Sequence, residues 1–460
     1  MNPFAEGSLL RAERAVGAVF VARLLPLLAA PATMWLVATR RPVAEQGFYV
    51  IFQNVQALAQ LAEIGLGALV VQFVAHESGG LRWSSDGGLL GEAASLSRIG
   101  RLVPSALRWY GRAALVLLLG VPLGWALFST EARHTGIAML APWALVVVAT
   151  AAYLVVVPLV CLAEGAGHLV RVQQVRSVQA LAAVAALWVG ILTRDALWGM
   201  TYFAVVWLMV PTAWLIVAHL GLLRQTREWM RQRAPDDSRE DAIAARYVAV
   251  QGRTAASSLA LWAAPQALAP ALLVLQGAGA AGRAGFSLAL ATAPATLGTA
   301  WLFARYPRLG AHVARGRLAA RDALARQALT QALAVCAMLG LCVTAGVAAL
   351  GVVAPSLASR ALPAPATGML AAASLGWVAI QGWAAWLRAE RQEPLTPATV
   401  TGAVAVIAAT VAVAGAADAS TTAAAYALAV LAAATPLAGL TFLRTRRSGQ
   451  AAMAGGASGS

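Results

Sequence analysis

The stretch EQGFYVIFQNVQALAQLAEIGLGALVVQFVAHE, from Glu45 to Glu77, decides how the rest of the chain is read. It is apolar and longer than the roughly 20 residues a helix needs to cross a bilayer. Yet it carries Gln53, Gln56, Gln60 and Glu63, at spacings of three, four and three. At about 3.6 residues per turn those four side chains share one narrow helical face. A carboxylate at membrane depth is costly unless it faces a bundle interior or a wet cavity. The helix is therefore expected to line a polar path, with lipid or other helices behind it. Glutamines that only hydrogen-bond adjacent helices are the plainer reading, but a stripe ending in an acid favours the path. Gly65 and Gly67 follow and would admit a close neighbour.

The composition generalises this reading. Of 460 residues, 60% are hydrophobic and 12% charged, against about 25% charged in a soluble protein. The chain is expected to be an all-α polytopic membrane protein, because helices satisfy their own backbone groups in lipid. The formal charge is +15 and every basic side chain is arginine. Without lysine there is no GxxxxGK[ST] phosphate loop and no Schiff-base lysine. Cys161, Cys336 and Cys342 lie in apolar segments without CxxC spacing and read as small buried residues. The run Ala15–Thr39 is longer than a signal-peptide core of about 7–15 residues and reads as a retained span.

Twelve spans follow from the apolar runs. The first six are Ala15–Thr39, Gly47–Ala75, Tyr110–Phe128, Gly136–Leu162, Ser177–Leu192 and Ala196–Leu223. The second six are Thr254–Leu275, Gly285–Phe303, Ala328–Val353, Gly368–Leu387, Thr399–Ala416 and Thr421–Leu443. Arginines concentrate in alternate connections, after spans two, six and eight and in the tail. The positive-inside rule then places both termini in the cytoplasm, with Arg40 and Arg41 outvoted. That distribution also argues against nucleic acid as the partner of so basic a chain.

The expected domains are a six-helix bundle over residues 1–223, a charged cytoplasmic linker over 224–246, a second bundle over 247–443 and a disordered tail over 444–460. The halves look like a weak parallel repeat. Leu28-Ala29-Ala30-Pro31 in span one matches Trp262-Ala263-Ala264-Pro265 in span seven, and Gly47-Phe48 matches Gly285-Phe286.

Gly47, Tyr49, the run Ala62–Glu77 and the region Gly285–Gly316 with its Tyr306-Pro307-Arg308-Leu309 resemble the multidrug/oligosaccharidyl-lipid/polysaccharide (MOP) flippase superfamily. Trp386-Leu387-Arg388-Ala389-Glu390 before span eleven fits as well. The resemblance covers nearly the whole chain to Leu443 and is strongest to flippases of O-antigen and exopolysaccharide precursors. It implies two bundles around a central cavity, alternating access, and residence in a bacterial inner membrane. Lipid II flippases of this superfamily usually carry two further spans, which are not found here.

A polyprenyl-pyrophosphate oligosaccharide has an anionic head, a hydroxyl-rich glycan and a greasy tail. Arg23, about two turns inside span one, offers the bidentate fork that suits a pyrophosphate, with snorkelling as the alternative. Arg253 and Arg176 stand at span entrances, where snorkelling is the favoured reading. Trp377 and Gln381, four apart on span ten, offer a stacking and hydrogen-bonding surface, with Trp383 and Trp386 nearby. An interfacial belt is the favoured reading of Trp386. Gln266 joins Arg23, Gln53, Gln56, Gln60, Glu63, Arg253, Trp377 and Gln381 as a candidate cavity residue. Glu63 is the candidate for coupling to H+ or Na+.

No other cofactor, and no metal, is expected. The implied partners are the lipid-linked glycan, membrane lipids and polysaccharide assembly proteins. The rival functions are a cation-coupled drug or metabolite antiporter, a lipid II flippase and a non-transporting scaffold. A membrane-embedded glycan polymerase or glycosyltransferase comes last, because no paired carboxylates, HExxH or ligand cluster appears.

Overall fold

A computed structural model describes residues 29–62, 67–231, 256–388 and 393–457. The described residues are helical almost throughout, and they divide into two compact units, Met1–Arg41 with Ile51–Ala244, and Pro42–Val50 with Ala245–Ser460. The first unit holds α1 (29–40), most of α2 (Val43–Ala62), α3 (Ala68–Glu77), α4 (Ala93–Leu118) and α5 (Gly120–Thr135). It continues with α6 (Leu140–Ala163), α7 (Leu169–Thr193), α8 (Ala196–Ala218) and α9 (Leu220–Arg231). The second unit holds α10 (256–266), α11 (Leu268–Gln276), α12 (Ala278–Phe303), α13 (Tyr306–Ala314) and α14 (Leu318–Val353). It closes with α15 (Pro355–Ala358), α16 (Ala364–Arg388), α17 (Thr396–Ala414), α18 (Ala419–Ala429) and α19 (Thr435–Ala457).

Nine helical stretches among the described residues are long and apolar enough to cross a membrane. One of them, Leu140–Thr193, is broken at Ala166 and Gly167, whose backbone leaves the helical region, so it supplies two crossings, α6 and α7. With α1 and the α2–α3 stretch, these elements follow the order of the twelve spans read from the sequence. The protein is an all-α multi-pass membrane protein.

Each unit is built around the fourth span of its half. Along α6 the residues Val146, Tyr153, Val157 and Leu162 are all buried, and along α16 so are Leu370, Trp377, Val378 and Ile380. Outer helices show the opposite pattern. On α14, Leu341 is 71% exposed and Val352 84%, an apolar surface suited to lipid. The same position in both halves being central agrees with a parallel repeat.

The start of α2 belongs to the second unit because of how closely it approaches α12. A Cβ at Gly47 would stand 2.2 Å from the Ala278 carbonyl oxygen, so only glycine fits. One residue earlier, Gln46 is fully buried and its side-chain amide donates to the carbonyls of Gly282 (2.8 Å) and Arg360 (3.1 Å). The expected boundary of the second bundle therefore gains Pro42–Val50. The tail differs too: α19 runs to Ala457, where a disordered segment over 444–460 was expected. Alanine, glutamine and methionine in Gln450–Ala454 are strong helix formers and extend the helix past the arginines.

A β-hairpin lies outside the spans. Between α3 and α4, Arg82–Trp83 (β1) pairs antiparallel with Leu89–Leu90 (β2) around the turn Ser84–Gly88. The hairpin is held on the first unit by Trp83, whose indole nitrogen donates to the Ala166 carbonyl (2.9 Å) at the α6–α7 turn. Asp86 and Gly87 accept from the backbone of Gly221 (2.8 Å) and Leu222 (3.2 Å) at the start of α9.

Candidate substrate path

The residues expected to line a path are distributed over both units. Arg23, Glu63 and Arg253 lie outside the described residues, and Gln60 sits in α2 with its side chain undescribed. In the first unit, Gln53 is half-buried and Gln56 is 4% exposed. The Thr150 hydroxyl of α6 donates to Gln56 Oε1 at 2.9 Å. Gln56 Nε2 is buried and has no partner among the described residues. A buried amide donor left unmet costs about 1–3 kcal/mol. Gln56 thus packs against α6, as the plainer reading of the glutamines has it, and keeps one donor in hand.

In the second unit, Gln266 on α10 and Gln381 on α16 are half-buried. Trp377 is buried, and its indole nitrogen donates to the Tyr426 hydroxyl of α18 at 2.8 Å. That bond uses its one donor within the bundle. Trp377→Phe is expected to lower stability by about 1–3 kcal/mol, read as earlier thermal unfolding of the purified protein. A loss of transport at unchanged stability would assign the indole to substrate instead.

Two readings of span ends are corrected. Trp386 is buried rather than interfacial. It donates to Asp322 Oδ1 (3.1 Å) at the start of α14, and the Arg446 guanidinium of α19 lies 4.6 Å from its ring centroid. Asp322 also pairs with Arg321 (2.6 Å) and with Arg446. Arg176 does not snorkel freely: it pairs with Glu164 at 3.2 Å, and Gln173 donates to the same carboxylate (3.2 Å). Both corrections have one cause. In each case a carboxylate within hydrogen-bonding reach takes the polar group at the end of the helix. Outside the spans, the Arg98 hydrogen bond holds the Glu77 carboxyl below the usual carboxylate range.

The sequence reading missed Gln276 and its surroundings. Its amide donates to the carbonyls of Ala414 (2.9 Å) and Ala417 (2.6 Å), tying α11 to the α17–α18 turn. It borders a cavity of about 570 Å³ in the second unit, whose walls include Arg283, Ser359 and Asp418. A lone glutamine at the end of an apolar run gave no periodic signal that could have found it.

No family model matches the chain, and neither does any curated protein. Solved structures do. A multidrug resistance MATE family transporter of the MOP superfamily, in its inward-facing conformation, matches with a TM-score of 0.63 at 13% identity, over 94% of this chain and 98% of that one. The lipid II flippase MurJ, inward closed, matches with a TM-score of 0.60 at 10% identity, over 94% and 87%. A MOP superfamily transporter from Pyrococcus furiosus matches at 0.53 and 13% identity, over 95% and 94%.

The chain shares the fold of these transporters.

At such identities the likeness extends to the fold and leaves the substrate open. Within a MOP fold, the fourth-span helices α6 and α16 are the scaffolds that carry the partner of Gln56 and the Trp377–Gln381 face. The hairpin β1–β2 and the part of helix α9 beyond Leu223 lie outside the twelve spans, at the arginine-rich end of the first unit.

Proposed function

We propose that the chain is a transporter that flips a polyprenyl-pyrophosphate-linked oligosaccharide, an O-antigen or exopolysaccharide precursor, across the bacterial inner membrane by alternating access. The observation that carries this reading is the chemistry of the spans. Across the twelve spans, Glu63 is the one acidic residue, set among Gln53, Gln56 and Gln60, while Arg23 within span one and Arg253 at the entrance of span seven supply cationic groups. Such a set suits an anionic head and a hydroxyl-rich glycan. A site for cationic drugs would call for several acids. The Gln56 Nε2 donor, without a partner among the described residues, supports the same reading. The alternative is a cation-coupled antiporter, favoured by the likeness to the MATE transporter. A lipid II substrate is the third reading, favoured by the likeness to MurJ.

The test is a glycan-export assay in a strain lacking this chain. Loss of surface glycan, with lipid-linked precursor accumulating on the cytoplasmic face, is the expected result. Normal export would overturn the reading. The proposed orientation has both termini in the cytoplasm. In a cysteine-free background, an impermeant thiol reagent added outside should label a cysteine at position 195 and miss one at 237. Labelling of 237 would reverse the orientation.

A further inference from the structure

Helix α9 turns directly off the end of α8 at His219, whose backbone leaves the helical region. One face of α9 is fixed to the first unit. The Gln225 side chain brackets Leu89 of the hairpin, donating to its carbonyl (2.8 Å) and accepting from its amide (2.8 Å). The Trp229 ring packs so closely on α4 that a Cβ at Gly100 would come within 2.9 Å of it. Gly221, Leu222 and Thr226 are buried on the same side. These contacts hold α9 in one rotational setting.

The opposite face is cationic and open. Arg224, Arg227 and Arg231 are all exposed. At about 100° per residue they fall within roughly 60° of one another. Leu220 lies in the middle of the stripe, 41% exposed, and Met230, 55% exposed, lies about 60° beyond Arg227 on the side toward Thr226. Asp86 acts on Arg224, and exposed Glu228 lies about 40° beyond Arg224 at the stripe's other edge. No ion pair of Arg227 or Arg231 occurs among the described residues. A rigid helix that follows a membrane span and shows arginines beside exposed apolar side chains has the make-up of an interfacial helix.

We propose that α9 is a preformed shelf for anionic phospholipid headgroups. Arg224, Arg227 and Arg231 bind the phosphates, while Leu220 and Met230 enter the acyl boundary. The hairpin and α4 hold the helix in register, so little order is lost on binding. The shelf concerns the bilayer around the protein and holds whatever the transported substrate is.

The test uses the full chain in lipid nanodiscs, with native cysteines replaced and a spin label at position 230. In discs containing phosphatidylglycerol, the label should be reached by oxygen rather than by a water-soluble nickel reagent, at a depth of about 5–10 Å. In pure phosphatidylcholine, or at high salt, it should shift toward water. The triple substitution R224Q/R227Q/R231Q should abolish the difference between lipids, and the corresponding triple lysine variant should keep it. The salt and lipid comparisons on the unsubstituted arginines need no variant to fold. Equal water exposure in both lipids would overturn the proposal. So would insertion only after neutralising Asp236, Asp237, Glu240 and Asp241, which would make that acidic run the occupant of the stripe.

Discussion

Gly47→Val is expected to abolish accumulation of the folded protein. The backbone of α2 meets α12 with a gap that no side chain can enter, since a Cβ would stand 2.2 Å from the Ala278 oxygen and 3.0 Å from its carbonyl carbon. The obstacle is backbone on a buried helix, which cannot rotate away as a side chain could. Separating the helices would also pull Gln46 from the carbonyls of Gly282 and Arg360 and leave a buried amide unpaired. Overpacking and a lost buried hydrogen-bond pair together cost about 4 kcal/mol or more, a large part of a typical folding stability of about 5–15 kcal/mol. The measurement is membrane abundance together with thermal unfolding of whatever protein can be extracted. Wild-type abundance and an unchanged melting temperature would show that the approach of α2 to α12 is not as described.

Glu63→Gln and Arg23→Ala are expected to have the largest effects on transport. Spans one and two are consecutive and joined by a short connection, and consecutive elements so joined are most often antiparallel neighbours. On the span limits read from the sequence, a count of 1.5 Å per residue from the arginine-rich side would put Arg23 about 12 Å deep and Glu63 about 18 Å deep. A charge left alone at that depth is expensive, so a pair is favoured over two isolated ions. In the proposed cycle, ionised Glu63 holds Arg23. A proton or cation on Glu63 then frees the guanidinium for the substrate pyrophosphate. Arg23→Ala is expected to lower export about tenfold or more at every pH, the size of effect given by a lost charge-assisted contact. Glu63→Gln is expected to flatten the dependence of export on pH. The measurement is export across a pH series, normalised to membrane abundance. A pair that only fixed helix register would lower abundance and leave export per molecule unchanged.

The fold was legible where burial in lipid writes long apolar runs, so the order of the spans over the described residues came out of the sequence. The break at Ala166–Gly167 was legible as well, because Arg171 and Arg176 interrupt the hydrophobic pattern after it. Contacts were not legible. Thr150 lies 94 positions from the glutamine it meets, and Asp322 lies 64 from Trp386. Neither separation leaves a trace in periodicity. The hairpin escaped for a different reason. Its strands are two residues each, too short for alternation to register, although Ser-Ser-Asp-Gly-Gly is a turn-forming run. The glutamine stripe identified the right helix, but one turn of it could not distinguish a wall of packed amides from the wall of a wet path. Gln56 turned out to be bonded to α6 and yet to hold a spare donor.

The claim that the chain moves a lipid-linked glycan is tested most directly in proteoliposomes made from the purified full-length protein. A polyprenyl-pyrophosphate oligosaccharide is placed in the outer leaflet, and the fraction reachable by an external glycosidase is followed with time. The account predicts that this fraction falls toward one half in vesicles containing the protein and stays constant in protein-free vesicles. It also predicts a slower fall with Arg23→Ala. A fraction that stays constant with active protein, while the same vesicles exchange a cationic drug for protons, would contradict it.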